Sequence, residues 1–513
     1  MPFVARWSVP FVIAGNVAFI NVSVSAVGGP DAGEFVVTWT DFNDSLGLGD
    51  GDGSAIYGQM YDQFGVAQGS TFLVNAATTS TQEQPVVVSL NATEGFAVVY
   101  RDLSRIGNGF NSDGRVRYFD GDGVGAPGDF VVNGGMATET ASQVQLSAAR
   151  GEAFGLVFTT WTDSAGAPDG DGADIRGALF NNSGAFVSDF RITTMATLPG
   201  ENGAQAQSNV ASLPQSGFVV TWADNVPSGG AFSGGGSAIR GQLFDFLGNP
   251  VGGQFDIAAV ANNTTTYASY PVSAGFNTGA TDFVTAWVQD DDLSNGVDLN
   301  VYARTFTVDG LGNVVGGTAF VVSQTTSANQ SQVVIAPYEA DQFIVVWTHQ
   351  VPFGQPDIRA RMFDSSGNPL TDEFIVIPED TLATTYDGTL ASITVLDDTI
   401  DAHPLPRFVI TWRDGAGNAW GQIFSPAASE LLDYDWFGGP SGETYTAQYD
   451  ELRLAGNDGN DTLTGRATAA FISGGNGIDS LFGLAGNDTL DGGGANDTLE
   501  GGENDDTLIG GSG

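Results

Sequence analysis

Residues 35–41 read FVVTWTD, and close copies of this phrase recur along most of the chain. β-branched and aromatic residues dominate the phrase, which is typical of a buried β-strand. Each copy has an aromatic residue at its fifth position, and successive copies lie 60 to 65 residues apart. These aromatic residues are Trp39, Tyr100, Trp161, Trp222, Trp287, Trp347 and Trp412. One period held over seven copies predicts a repeat architecture.

Three further strand-like segments accompany each copy. A second segment, such as IYGQMYD at 56–62, and a third, such as FLVN at 72–75, follow the first. A fourth, such as PVVVSL at 85–90, precedes the next copy. Turn signals such as SSGNP at 365–369 join the second and third segments as hairpins. Four strands in about 60 residues are too few for an independent sandwich, but they fit one blade of a β-propeller.

The third segment is missing from the last repeat, and a similar segment stands at the start of the chain. Residues 11–13, FVI, lie 61 residues before the equivalent segment at Phe72. The sequence therefore predicts an all-β, seven-bladed β-propeller, whose N-terminal strand completes the blade formed by residues 388–427. A linear stack of β-arrays is the alternative, but it would not need this circular permutation. Ring closure also removes exposed sheet edges.

The repeated aromatic residues have two interpretations. An aromatic residue at one position of every blade is expected to pack between neighbouring sheets, because large rings contribute most to buried apolar area. The alternative is a ligand-binding surface on which sugars stack. We predict packing.

Three connections between the first and second segments are acidic, at 41–54, 163–174 and 290–298. Two of them contain Asp-Gly-Asp-Gly, which places two carboxylates close together on a backbone that glycine lets fold tightly. Ca²⁺ suits such a site, although Asp-Gly pairs are also common in turns. The candidate ligands are Asp50 with Asp52, and Asp169 with Asp171. A further copy at Asp120 lies within a hairpin and predicts only a turn.

Composition excludes several classes of function. The chain has 513 residues, with 60 acidic residues against 16 basic ones, and its net charge is −44. Binding of nucleic acid or an anionic membrane through a basic patch is therefore disfavoured. The chain contains no Lys and no Cys, which excludes a P-loop, Schiff-base chemistry, disulfides and thiolate sites. No apolar run approaches the roughly 18 residues of a transmembrane helix. So many carboxylates repel one another unless cations neutralise them, which suggests dependence on a metal.

From Gly456 the sequence changes to a Gly-, Asn- and Asp-rich tail with one Leu or Ile in every nine residues. Residues 474–482, GGNGIDSLF, match GGxGxDxUx at every fixed position. The tail resembles the nonapeptide repeats of the repeats-in-toxin (RTX) family. This resemblance covers residues 456–513 and implies a parallel β-roll in which each strand points one apolar residue inward. A flexible Gly-rich linker, the alternative, does not predict a period of nine.

The RTX resemblance implies calcium sites between one nonapeptide and the second one along. Carboxylates at the sixth position and oxygens of the turns would serve as ligands, and such a set fits a hard cation. The expected carboxylates are Asp461, Asp479, Asp488, Asp497 and Asp506, and the expected turn residues are Gly474, Asn476, Gly483, Gly492 and Gly494. Three departures from the pattern predict weaker sites: Ala470 in place of Asp, and Ala495 and Asn504 in place of Gly.

The expected domains are a propeller at 1–430, a linker at 431–455 and an RTX roll at 456–513. Gly513 falls inside what would be another repeat, so we expect the roll to be truncated. The resemblance implies type I secretion, folding in extracellular calcium, and a secreted or cell-surface location. The propeller phrases also resemble modules of large bacterial RTX surface proteins and adhesins, whose ligands the resemblance does not imply.

The residues favour a binding module over an enzyme. With only two His residues, the chain has neither HExxH nor a GxSxG elbow. We expect a non-catalytic binding or adhesion module for an extracellular glycan or protein, or one that self-assembles. One alternative is a carbohydrate-active enzyme, a glycoside hydrolase or lyase, that uses only carboxylates. The other is a structural protein of a surface layer or extracellular fibre.

Overall fold

The computed structural model is built from β-strands alone over the residues it describes. The structure describes residues 6–7, 11–14, 19–27, 34–42, 53–62, 65–76, 80–91, 95–103, 112–132, 142–151, 156–163, 173–181, 184–193, 204–214, 216–226, 236–258, 268–276, 282–290, 299–325, 329–338, 341–350, 356–376, 389–396, 406–413, 418–425, 434–437, 442, 444–447, 451–456, 459–466 and 470–512. Within these ranges there is no helix of the length and apolar character that crossing a membrane requires.

Seven antiparallel sheets, the blades, follow one another along the chain, after two short strands, β1 (Arg6–Trp7) and β2 (Phe11–Ala14). Blades one to three are β3 (Phe19–Ala26), β4 (Phe35–Asp41), β5 (Ala55–Tyr61) and β6 (Ala67–Leu73); β7 (Gln82–Asn91), β8 (Gly95–Asp102), β9 (Asp113–Phe119) and β10 (Phe130–Val131); and β11 (Gln143–Gly151), β12 (Leu156–Asp163), β13 (Asp174–Phe180) and β14 (Phe186–Arg191). Blades four and five are β15 (Gln205–Leu213), β16 (Gly217–Val226), β17 (Gly236–Phe244) and β18 (Pro250–Ala258); and β19 (Ala268–Gly275), β20 (Phe283–Asp290), β21 (Leu299–Val308), β22 (Val314–Gly316) and β23 (Phe320–Val321). Blades six and seven are β24 (Asn329–Tyr338), β25 (Gln342–Gln350), β26 (Asp357–Asp364) and β27 (Phe374–Ile375); and β28 (Thr389–Val395), β29 (Phe408–Arg413) and β30 (Ala419–Ser425).

The N-terminal strands complete blade seven, as the sequence predicts. Strand β2 pairs antiparallel with β30, where Phe11 lies opposite Gly421. Strand β1 pairs with the same edge further along, where Arg6 lies opposite Ser425. The two ends of the propeller sequence therefore share one sheet, and the prediction of a closed ring is confirmed.

Adjacent blades pack through a shared hydrophobic core, and the repeated aromatic residues lie in these cores. Seven clusters of buried residues each draw on two neighbouring blades. One of them joins Trp39 of blade one to Leu396, Val409 and Ile423 of blade seven, which closes the ring. All seven repeated aromatic side chains are at most 1% exposed. Packing between blades is thus confirmed as their role, and burial of each such ring contributes several kcal/mol.

The order of strands in each blade brings three strand ends to one face of the ring. In blade three, Gln143 at the start of the first strand lies opposite Asp163 at the end of the second. Asp163 in turn lies opposite Asp174, where the third strand begins. The face that carries these ends also carries the connections between second and third strands, which include the acidic loops. We call it the loop face.

The tail forms a parallel β-solenoid of two sheets, in which each strand pairs with the one 18 residues along. Its strands are β31 (Tyr434–Phe437), β32 (Thr444–Thr446), β33 (Glu451–Ala455), β34 (Thr462–Thr464), β35 (Phe471–Ser473), β36 (Ser480–Ala485), β37 (Thr489–Asp491), β38 (Thr498–Glu503) and β39 (Thr507–Ile509). The side chains of Leu463, Ile472, Leu481 and Leu490 are completely buried between the sheets. The predicted roll with one inward apolar residue per strand is confirmed there. Parallel pairing begins at Tyr434, inside the segment for which the sequence predicts a linker, and the domain boundaries stay a proposal.

Candidate calcium sites and central channel

The sixth-position aspartates of the solenoid join turns that are 18 residues apart. In each case one carboxylate oxygen accepts a hydrogen bond from the backbone N–H of the residue two repeats earlier. The distances are 2.8 Å from Asp461 N to Asp479 Oδ1, 2.7 Å from Ala470 N to Asp488 Oδ1, 3.0 Å from Asp479 N to Asp497 Oδ1, and 3.0 Å from Asp488 N to Asp506 Oδ1. The pairing of each nonapeptide with the second one along, which underlies the predicted sites, is present in these contacts.

The second oxygen of these carboxylates is the feature that fits a cation. Oδ2 of Asp479, Asp488 and Asp497 is buried and has no hydrogen-bond partner. A side chain at Gly483 would lie 2.5 Å from Oδ2 of Asp488 and would also strike the carbonyl oxygen of Gly501. Carboxylate and carbonyl oxygens therefore converge on a space that only glycine leaves open. A hard divalent cation satisfies this kind of oxygen set.

The charges of the paired aspartates oppose folding in the absence of a cation. Burial raises the pKa of the Asp479 carboxyl above its ordinary value, and the negative charge of Asp497 raises it further. The hydrogen bond from the Asp461 N–H lowers this pKa in part. Burial and the charge of Asp506 likewise raise the pKa of Asp488. Both shifts show that the ionised carboxylates are poorly solvated, so a bound cation would stabilise the turns.

The turn residues lie where the repeat pattern requires them. Gly474 and Gly492 each approach the Asp side chain of their own repeat too closely for a Cβ atom. Asn476 and Gly494 form a parallel bridge between turns two repeats apart. No group of three or more His, Cys, Asp or Glu side chains that could hold a metal occurs in the described ranges, so carbonyl oxygens would have to complete each site.

The departures from the repeat have visible consequences. The backbone at the fourth position of the nonapeptide has a positive φ, which is 78° at Ala495 and 84° at Asn504. This conformation costs a residue other than glycine about 1–2 kcal/mol. Ala470 presents its N–H to Asp488 as the other repeats do, but it brings no carboxylate of its own.

Of the three Asp-Gly-Asp-Gly copies in the propeller, only the one at Asp120 lies within the described residues. Asp50, Asp52, Asp169 and Asp171 lie outside the described residues, so calcium binding there stays a prediction. The hairpin at Asp120 is a turn, as predicted, and its Oδ1 accepts the N–H of Val124 at 2.8 Å.

A repeated Gln-x-Gln motif, absent from the sequence-based predictions, stands at the start of the first strand of blades two, three, four and six; we call the first strand of each blade its inner strand. The first Gln is buried at the loop face, where Gln82 Nε2 lies 3.2 Å from Asp102 Oδ1. Asp102 also forms a 2.5 Å ion pair with Arg115. Three blades repeat this ion pair, as Arg115 with Asp102, Arg176 with Asp163, and Arg240 with Asp224. The signal was present in the sequence as Gln82-x-Gln84, Gln143-x-Gln145, Gln205-x-Gln207 and Gln330-x-Gln332.

The second Gln of each motif lies in a β-bulge with left-handed backbone geometry. The residues at this position are Gln84, Gln145, Gln207, Tyr270 and Gln332, with φ between 48° and 57°. Gln145 Oε1 accepts the backbone N–H of Gln207 at 2.8 Å, and Gln207 Oε1 accepts that of Tyr270 at 2.9 Å. The side chains of Gln145 and Gln207 thus connect blades three, four and five. We call these five residues the channel mouth.

The channel mouth opens into a cavity of about 520 Å³ on the axis of the propeller. All seven blades contribute to its wall, mainly through the inner strands. The described lining residues include no Asp or Glu, and Arg413 is the charged residue among them. In a chain with 60 acidic residues, this channel is a local exception.

Comparison with protein families identifies the tail. Residues 453–481 and 473–508 match the family of RTX calcium-binding nonapeptide repeats, in four copies. The C-terminal segment therefore carries RTX repeats, and calcium is the cofactor of such repeats. No curated protein is significantly similar in sequence to this chain.

Solved structures of low sequence identity resemble the propeller. A protein of unknown function from Dyadobacter fermentans is 11% identical, with a TM-score of 0.44, over 82% of this chain and 99% of that one. The β-propeller domain of the trilobed protease from Pyrococcus furiosus is 8% identical, with a TM-score of 0.42, over 82% and 97%. An intramolecular trans-sialidase from leech is 9% identical, with a TM-score of 0.41, over 71% of each chain.

Proposed function

We propose that this chain is a secreted, calcium-binding protein whose propeller binds an extracellular glycan or protein surface without chemical turnover. The RTX tail supports the calcium and secretion parts, because such repeats are calcium-binding and typical of secreted proteins. In this proposal the ligands of calcium are the five sixth-position aspartates and the turn oxygens. Folding of the tail would follow calcium binding outside the cell.

The observation that carries the binding function is the central channel. Its wall supplies amides, hydroxyls, one guanidinium and apolar side chains, which suit recognition of a polar ligand. Hydrolysis of a glycosidic bond by carboxylates requires two of them on opposite sides of the bond. The described lining residues include no carboxylate, which favours binding over catalysis at this site.

A glycan array and a panel of glycosidase and lyase substrates, each run with millimolar Ca²⁺ and with chelator, test the proposal. We expect the full chain to retain one glycan or protein ligand without consuming it. Turnover that is lost on substitution of one Asp pair would establish the carboxylate enzyme instead. Calcium-dependent assembly into large particles without ligand binding, measured by sedimentation, would establish the structural role.

A further inference from the structure

Arg413 lies in the channel wall, and no described carboxylate forms an ion pair with it. Among the described residues, it donates no hydrogen bond and forms no ion pair, and its Nε is buried. Arg101 occupies the same position in blade two, directly after the repeated aromatic residue. There the guanidinium forms a 2.7 Å ion pair with Glu83, its neighbour on the inner strand. In blade seven the register places Thr389 opposite Arg413, so the described inner strand offers no carboxylate at the position of Glu83.

The amides of Gln145 and Gln207 present donors, because their oxygens are already engaged. A backbone N–H can only donate, so the atoms of Gln145 and Gln207 that face the next blade must be Oε1. Their Nε2 groups donate to no described residue. These two amides and Arg413 therefore form a surface rich in hydrogen-bond donors.

The channel also offers an aromatic surface. Tyr270 is 54% exposed at the channel mouth, although the repeated aromatic residues of the blades are buried. Four of the five residues at this position are Gln, and all five keep a backbone conformation that glycine would adopt more easily. We infer that the side chains at these positions have a function that offsets the strained backbone. Contacts between blades occupy only the amide oxygens, so the amide nitrogens are available to a ligand.

We propose that the central channel binds a carboxylate-bearing sugar residue, which deepens the proposed binding function and rests on it. Arg413 would contact the carboxylate, since a guanidinium matches a carboxylate in charge and geometry. The Nε2 groups of Gln145 and Gln207 would donate to its ring and hydroxyl oxygens, and Tyr270 would cover an apolar face of the ring. The 520 Å³ cavity is large enough for one or two sugar residues.

The net charge of −44 opposes approach of an anion, but it does not decide binding inside the channel. At physiological salt the screening length is about 8 Å, so acidic groups far from the lumen contribute little there. Calcium bound elsewhere in the chain would lower the opposing charge further. Among the described lining residues, the charge comes from Arg413.

The test is calorimetric titration of the full chain, with millimolar Ca²⁺, against glucuronate and galacturonate oligosaccharides of two to four residues. Glucose and galactose oligosaccharides of equal length serve as neutral probes. We expect the acidic oligosaccharides to bind more tightly. Arg413→Gln should weaken them by about 10- to 100-fold, the usual effect of removing one hydrogen bond to a charged group.

Two variants keep Arg413 and the fold but change the charge of the channel. Gln207→Glu retains an oxygen for the N–H of Tyr270 while it replaces the donor amide with a carboxylate. Thr389→Glu introduces a carboxylate opposite Arg413, at the position that Glu83 occupies opposite Arg101 in blade two. Both should weaken binding of the acidic oligosaccharides at least tenfold and leave thermal stability nearly unchanged.

The matched control is Arg101→Gln combined with Glu83→Gln, which removes the equivalent guanidinium together with its partner. Val315→Glu, on an exposed outer strand, controls for the added negative charge. Both controls should bind like the unchanged chain. Equal affinity for acidic and neutral probes, or acidic binding that survives Arg413→Gln, would overturn the inference. If the array finds only a neutral glycan or a peptide, the inference fails while the binding function stands. If nothing binds, or if substrate is consumed, the proposed function fails too.

Discussion

His349 shows how one substitution in a repeat introduces sensitivity to pH. It stands where blades two, three and four have Asp, and its Nδ1 lies 3.0 Å from Gln330 Oε1. Burial lowers the pKa of His349 below its ordinary value of 6.5, and the positive charge of Arg359 lowers it further. The negative charges of Asp357 and Glu373 act in the opposite direction.

We therefore expect the propeller to lose stability as the pH falls below about 6.5. As the pH falls, the unfolded chain takes up a proton on His349 before the folded chain does. The stability that neutral His349 contributes is therefore fully present above pH 6.5 and is lost as the pH falls to the pKa of His349 in the folded protein. His349→Gln should flatten the dependence of the melting temperature on pH between 7 and 5. The chain has two His residues, so an NMR titration can resolve each imidazole. A His349 pKa at or above 6.5 in the folded protein would contradict this prediction.

Asp479 and Asp506 are expected to contribute unequally to calcium binding. Asp479 is completely buried and bonds to turns on both sides, because it accepts from Asp461 and donates its own N–H to Asp497. Asp506 accepts from Asp488 at the end of the described solenoid. Asp479→Asn should thus weaken calcium-induced protection of the tail by tenfold or more, and Asp506→Asn by less.

Hydrogen exchange of the tail in the full chain, followed over a calcium titration, measures both effects. Asp505→Asn is the control, because it removes the same charge from an exposed neighbour of Asp506. Equal losses from the two substitutions, or a tail that is protected in chelator, would show that the pairing of turns does not determine the sites.

At the scale of the strand, the sequence predicts the strands, which depend on local pattern, and misses the β-bulges, which no local pattern indicates. Phrases such as FVVTWTD give the strands and their order, because buried strands need β-branched and aromatic residues. The bulges of the channel mouth were missed because Gln has no local preference for the left-handed conformation that Gln145 and Gln207 adopt. That conformation occurs at the bulge of the inner strand in five blades.

The solenoid gives a second example at the same scale. The nine-residue period predicts the strands from Thr462 onward, because the turns need Gly and Asp. Strands β31 to β33 lack that pattern, yet β31 and β33 pair in parallel and extend the same sheet. Parallel pairing needs only backbone groups in register, so sequence pattern alone did not reveal where the solenoid begins.

At the scale of the whole molecule, stability depends on closing the ring. Each of the seven cores is shared by two blades, so loss of any blade would expose apolar surface on both its neighbours. The N-terminal strands are the only link of blade seven to the start of the propeller sequence among the described strand pairings. Ile13 contributes directly, since it is buried in the core between blades seven and one.

Deletion of residues 1–16 should therefore destabilise the whole propeller rather than one blade. The deletion removes burial of Ile13, about 2–3 kcal/mol, and the hydrogen bonds of two strands, about 1 kcal/mol each. It also leaves the edge of β30 unpaired, which favours association between copies of the chain. Denaturant unfolding at fixed calcium, monitored by tryptophan fluorescence, should show one cooperative transition at a lower midpoint. Deletion of residues 1–5 alone, which keeps β1 and β2, is the control, and the difference in midpoint between the two deletions measures what residues 6–16 contribute. An unaltered midpoint after the longer deletion would mean that the packing between blades one and seven holds the ring closed without the strands that complete it.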